Sequence, residues 1–163
     1  MKQFFFYLIL LLFSGCSALS YNVNQGKLDK NQKIAVDVFS NYTETPMAGY
    51  RAASIMDAAL LQRGFKSNQM YSIVTDESSN VEIPLMERIK KAKNAGASLL
   101  ATGEVIEWRY KTGIDGEPAV SLVIRVYDIQ TAEVIFSSTG SKNGLGYSSI
   151  GLVANDVING MLP

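Results

Sequence analysis

The clearest alternation of apolar and polar positions lies at Ala119–Asp128. Val120, Leu122, Ile124 and Val126 fall on one side there, and Ser121, Val123, Arg125 and Tyr127 on the other. A period of two marks a half-buried strand. The apolar pattern resumes at Val134–Phe136 after the turn-like Asp128–Glu133, which reads as strand–turn–strand. Upstream, Leu99 to about Tyr110 reads as a further strand. It is interrupted by Gly103 and carries Glu104, Glu107, Trp108, Arg109 and Tyr110. Three consecutive strands form the centre of a sheet, and the rest of the chain is its cover.

Before this centre, Lys33–Phe39 alternates Ile34, Val36 and Val38 against Ala35, Asp37 and Phe39, a first strand. Thr45-Pro46 precedes a helical stripe in Gly49–Arg63 formed by Ala52, Ile55, Met56, Ala59 and Leu60, with Gly64 as its stop. Phe65–Val74 reads as a weaker strand and Thr75–Asn80 as a polar loop. Pro84 opens a second helix, with Leu85, Met86, Ile89 and Ala92 on one face. Glu87, Arg88, Lys90, Lys91 and Lys93 take the remainder, which reads as a solvated face, and Asn94-Ala95-Gly96 ends it. Gly140–Gly146 reads as a glycine-rich loop without the Gly-Lys-Ser/Thr ending of a phosphate cradle. Ser148 or Ser149 then caps a last helix with the stripe Ile150, Val153, Ala154, Val157, Ile158 and Met161. The predicted order is β-α-β-α-β-β-β-α: an α/β fold with a mixed sheet of about five strands packed with three helices.

The first residues read as an address. Lys2, the apolar run Phe4–Phe13 and then Ser14-Gly15-Cys16 make a charged, apolar and small-residue succession too short to span a bilayer. Cys16 at the end of the run resembles the cysteine of a bacterial lipobox, with Phe13 where that pattern prefers Leu. The resemblance implies lipidation of Cys16, and Ser17 after it implies the outer membrane, on its periplasmic side. The expected organisation is a lipoprotein signal peptide (1–15), a lipidated cysteine with a tether (16–32), and one periplasmic α/β domain (33–163). The polar Ser17–Gln32 reads as a leash reaching at most about 50 Å and roughly 24 Å as a flexible coil. An extra strand around Leu19–Val23 is its alternative reading.

Composition narrows the chemistry. Basic and acidic residues balance at 15 each, and no basic run marks a nucleic-acid footprint. Cys16 is the one cysteine, so no intramolecular disulfide forms and packing alone holds the fold. Histidine is absent, which removes the commonest general base and metal ligand and excludes Ser–His–Asp and Cys–His catalysis. No catalytic residue, cofactor or metal is assigned.

Two short segments carry a family resemblance. Gly96-Ala-Ser-Leu-Leu-Ala-Thr-Gly103-Glu-Val105 resembles a step of the CsgG-like outer-membrane lipoproteins, and Asp128-Ile-Gln-Thr-Ala-Glu-Val134 resembles their D-x-x-T-G-E-V hairpin. With the lipobox, and with Glu107–Lys111 and Asp115–Val120, the pattern is most similar to the PelC-like lipoproteins of that superfamily. The resemblance spans essentially the whole mature domain and implies a CsgG-like sandwich. It also implies a non-enzymatic part of a Pel exopolysaccharide export complex. Such proteins form a homo-oligomeric ring, a dodecamer, whose acidic funnel-like entrance draws a cationic polysaccharide to the β-barrel porin PelB. Two positions depart from the pattern. Ala132 stands where the hairpin carries Gly; a positive φ there costs alanine about 1–2 kcal/mol. Leu145 and Tyr147 stand where the family carries a tryptophan for the membrane interface.

Repeating one subunit about an axis turns each carboxylate into a ring, and rings of carboxylates select cations. Asp115 and Glu117, in the turn Gly113–Pro118, are the leading polymer-guiding residues, with Glu107 next; Asp115-Gly116 is equally a plain turn signal. Trp108, Arg109, Tyr110 and Arg125 form the expected oligomer interface, with a core place for Trp108 as the alternative. Leu145 and Tyr147 are the expected membrane contacts. Two other function classes stand beside this one: a regulatory lipoprotein of the LpoB type that activates a peptidoglycan synthase, and a carboxylate-based glycan hydrolase.

Overall fold

The computed structural model describes residues 20–24, 28–70, 83–111 and 116–163. Cys16, Asp115 and the stretches 71–74 and 75–80 lie outside the described residues. Seven strands and three helices are present among those described, in the order β1 (Ser20–Asn24), β2 (Lys33–Val36), β3 (Ser40–Asn41), α1 (Ala48–Gln62), β4 (Lys66–Gln69), α2 (Leu85–Asn94), β5 (Leu99–Tyr110), β6 (Pro118–Asp128), β7 (Val134–Asn143) and α3 (Ile150–Met161). They form one mixed sheet, β1-β7-β6-β5-β2-β4, with β3 also paired to β5. The α/β architecture read from the sequence holds, with two strands more than the five expected.

Both extra strands have local causes. Ser20–Asn24 falls inside the expected tether but pairs antiparallel with β7, Ser20 opposite Ser141 and Asn24 opposite Ser137. The alternative strand reading was therefore the better one for these residues. The other case is the expected strand Lys33–Phe39, which breaks after Val36. Beyond the break the chain rejoins the same side of β5, with Ser40 opposite Glu104 and Asn41 opposite Val105. The break leaves the Val38 carbonyl outside the ladder, and a buried backbone acceptor needs a partner. Arg88 supplies it. Its Nη1 donates to Val38 O (3.0 Å) and to Thr102 Oγ1 (2.9 Å), and its Nε to Ile83 O (3.1 Å), with Asp37 Oδ2 at 3.7 Å. Arg88 is therefore buried, which corrects its assignment to a solvated helix face. A helical wheel shows only which side of a helix a residue takes; it does not show that an unpaired carbonyl waits there.

The main core lies between one sheet face and the layer of α1 and α3. Val120, Leu122, Ile124 and Val126 of β6 meet Ala52, Met56 and Leu60 of α1 and Val153, Val157 and Ile158 of α3. This is the stripe arithmetic of the sequence realised on both layers. A smaller cluster of Ala35, Ile89, Ala92, Leu100 and Ile129 holds α2 to the other face. Phe39 explains two glycines at once. A Cβ on Gly103 would sit 2.1 Å from Val123 O and 2.7 Å from the Phe39 ring, and one on Gly49 would sit 2.0 Å from Phe39 O. The glycine that interrupts β5 is thus the floor on which Phe39 lies.

Loop chemistry follows the same logic. Ser149 caps α3, its Oγ accepting from Leu152 N at 3.2 Å. In the hairpin, Asp128 Oδ1 accepts from Gln130 N (2.7 Å) and Thr131 N (3.2 Å), an Asx turn that explains the leading Asp of the motif. Ala132 sits at φ 59°, so the position does take the left-handed conformation that its family pattern fills with Gly. The expected glycine-rich loop Gly140–Gly146 is shorter than read, because Gly140–Asn143 completes β7.

Candidate functional site

The register gathers the sequence-derived residues at one end of the sheet. Tyr110 pairs with Pro118 where β5 turns into β6, and Ala119 pairs with Asn143 where β7 ends. The neck of the β5–β6 hairpin is closed by Lys111 N donating to Glu117 O (2.7 Å), and Gly144 N donates to Pro118 O (2.8 Å). The loop Gly144–Ser149 is thereby fastened beside the acidic hairpin. Ser20, the first residue of β1, lies opposite Ser141 at this same end. The hairpin tip, the loop after β7 and the point where the N-terminal segment joins the sheet all share one pole of the molecule.

That pole is apolar on one side. Leu145 is 54 % exposed and Tyr147 87 %, and the sequence did not single out their neighbour Leu152, 55 % exposed in the first turn of α3. Residues in a stripe analysis are sorted by helix face, and Leu152 falls off the buried stripe of α3; only its exposure marks it. Tyr110 is also half exposed, but its hydroxyl accepts from Ile150 N at 3.1 Å, so it helps cap α3.

The remaining expected residues separate. Glu117 is half-buried at the hairpin neck. Glu107 Oε1 lies 2.9 Å from Arg109 Nε, an exposed pair that cancels most of the charge Glu107 would lend to an acidic ring. Arg125 is paired across the strands with Glu104 at 2.5 Å. Trp108 is 2 % exposed and packs in the subunit's own core, so it offers no surface to a neighbour. Its place there follows from a β-bulge between Val105 and Glu107, which turns Ile106 outward and lets Val105 and Trp108 both face the core. Strict alternation does not foresee that inserted residue. Among the described residues no group of three or more acidic or cysteine side chains is arranged to hold a metal.

The architecture can be set beside known proteins. No family model matches the chain, and no curated protein does. Among solved structures, the PelC dodecamer from Paraburkholderia phytofirmans superposes with a TM-score of 0.76 at 30 % identity, covering 88 % of this chain and 94 % of that one. A point variant of the same dodecamer gives 0.74 at 31 % identity with the same coverage. The lipoprotein GNA1162 from Neisseria meningitidis shares the fold, with a TM-score of 0.56 at 14 % identity over 79 % of this chain and 96 % of that one. With nearly a third of its residues identical to those of the two PelC structures over almost their whole length, the chain belongs to the PelC family.

Proposed function

We propose that this protein is a non-enzymatic, lipid-anchored component of an exopolysaccharide export complex, working as a homo-oligomeric ring at the periplasmic face of the outer membrane. The observation that carries the reading is the shared pole, taken together with the PelC dodecamer as a 30 % identical relative. Cys16 is four residues upstream of Ser20, so a lipid on it lies within about 14 Å of β1 on chain reach alone. The slack leash expected from the sequence is replaced by a short stalk. It emerges beside Leu145, Tyr147 and Leu152, side chains suited to the headgroup region. The domain therefore stands with this pole against the bilayer.

The same orientation carries the hairpin of Asp115 and Glu117 to the membrane side of the ring. Repeated around the axis, these carboxylates form a collar where a cationic polysaccharide passes into a β-barrel porin of the PelB type, rather than at the distant periplasmic mouth. Nothing in this function requires a nucleophile or a cofactor; guiding a polymer calls for a fixed bore and a field. The regulatory alternative has no likeness of comparable strength behind it.

The test replaces Asp115 by Asn and Glu117 by Gln together in cells that secrete a cationic exopolysaccharide. Secreted polymer is expected to fall several-fold while the protein stays in the outer-membrane fraction. Unchanged secretion with both carboxylates gone refutes the collar.

A further inference from the structure

The open side of the sheet is an unusual surface for a subunit that ends there. The helix α2 covers only one end of it, over Ala35, Leu100 and Tyr127. Beyond Thr102 the outward residues of β5, β6 and β7 have no layer above them. A groove of about 130 Å³ opens there, lined among others by Tyr42, Glu104, Arg125 and Tyr127. Around it stand three large apolar side chains in solvent: Tyr42 (62 % exposed), Met86 (66 %) and Ile106 (48 %). Ile106 is there because of the bulge, a local disruption of the ladder whose effect is to put an isoleucine outside.

We infer that this open sheet face, with Tyr42, Met86 and Ile106, is one half of a head-to-tail contact between copies of the chain, and that the other half is the outer surface of α1 and α3 on the next copy. The inference rests on the homo-oligomeric reading above. Aromatic residues, Met and Arg are the residue types enriched at protein contacts. The charges on the face are neutralised within the subunit, Glu104 with Arg125 and Glu107 with Arg109, so two copies do not repel across it. The helix layer has a matching character. Leu61 of α1 is half exposed, α3 shows Gly151, Leu152 and Asn155, and the one charged residue of α3, Asp156, is paired with Lys142 at 2.5 Å.

The geometry favours this pairing over a face-to-face one. A two-layer unit with an open sheet on one side and helices on the other presents two different surfaces. Joining unlike surfaces gives a heterologous contact that propagates and closes into a ring, whereas sheet against sheet stops at a dimer. Three strands of this length make a face of roughly 35 by 14 Å. With the rim side chains added, that is on the scale of the ~800 Å² per partner of a stable contact. Arg109 and Arg125, expected at the interface from sequence, lie on this face; Trp108 does not.

The test uses the full chain purified from membranes in mild detergent. Cys16 is the one native cysteine, so introduced thiols report cleanly against single-cysteine controls. The double variant Ile106→Cys with Asn155→Cys, treated with a short bis-maleimide cross-linker, is expected to give a ladder of covalent species beyond the dimer, where each single variant stops at a dimer. Ile106→Glu is expected to lower the mass by light scattering to that of one subunit, with an unchanged thermal melt. An oligomer that survives Ile106→Glu overturns the inference. Dissociation without a ladder in the cysteine pair overturns the helical half of it. A wild-type chain that is itself monomeric overturns the ring reading of the proposed function, a result distinct from both.

Discussion

Arg88 is the residue whose loss the fold should feel most for its chemistry rather than its volume. In Arg88→Met the side chain keeps most of its length and apolar stem but loses the guanidinium. The Asp37 carboxylate, 6 % exposed, then has no counter-charge, and the carbonyls of Val38 and Ile83 each lose a donor. Thr102 Oγ1 still reaches Val38 O at 3.2 Å, so that acceptor is not left wholly bare. Breaking a buried pair from one side costs about 3–5 kcal/mol, most of it the stranded charge. At roughly 2–4 °C per kcal/mol for a domain of this size, the melting temperature falls by on the order of 10 °C. Urea unfolding followed by the fluorescence of Trp108, the one tryptophan and a buried one, measures this directly. The decisive comparison is Asp37→Asn added to Arg88→Met. If the stranded carboxylate is the cause, the double variant recovers at least about 1.5 kcal/mol of the loss. A single variant within 1 kcal/mol of wild type, or a double variant no more stable than the single, refutes the reasoning.

Two further predictions concern the backbone of the family motifs. At Ala132, φ is 59°, where alanine carries a penalty of about 1–2 kcal/mol that glycine avoids; glycine returns about 0.4–1 kcal/mol through the freer unfolded chain. Ala132→Gly is therefore expected to raise the urea midpoint slightly, and Ala132→Val to lower it, with the two separated by about 1.5 kcal/mol or more. Equal midpoints for Gly and Val contradict the strain argument. For Gly103→Ala the added methyl meets the Val123 carbonyl and the Phe39 ring, neither of which can swing aside, so a loss of about 1–3 kcal/mol is expected in the same assay. Wild-type stability there rules out the close approach.

What could be read from the sequence, and what could not, divides along a physical line. The three helices and the strands β5 and β6 were legible because each repeats its apolar residues at the period of its own backbone, and burial follows that period. The start of α3 at Ser149 and the left-handed Gly64 were legible because caps and stops are decided within a few residues. Everything misread depends on a partner far along the chain. Ser20–Asn24 has no pattern of its own and is a strand only because β7 offers an edge. Arg88 looks like its neighbours Glu87 and Lys90 until a break between β2 and β3, fifty residues earlier, presents a carbonyl to it. The surface residues failed for a related reason. One inserted residue at Ile106 exchanges the two sides of β5 for everything that follows, so a set chosen by strict alternation mixes the buried Trp108 with the exposed Arg109. The bulge is thus the point at which function left the reach of periodicity. The shift that hides Trp108 also exposes Ile106 beside Tyr42, whose backbone N–H donates to Val105 O at 3.0 Å. A fold needing only a core would gain nothing from that exchange. A subunit that must both close its own core and offer an apolar face to the next copy gains both from a single extra residue.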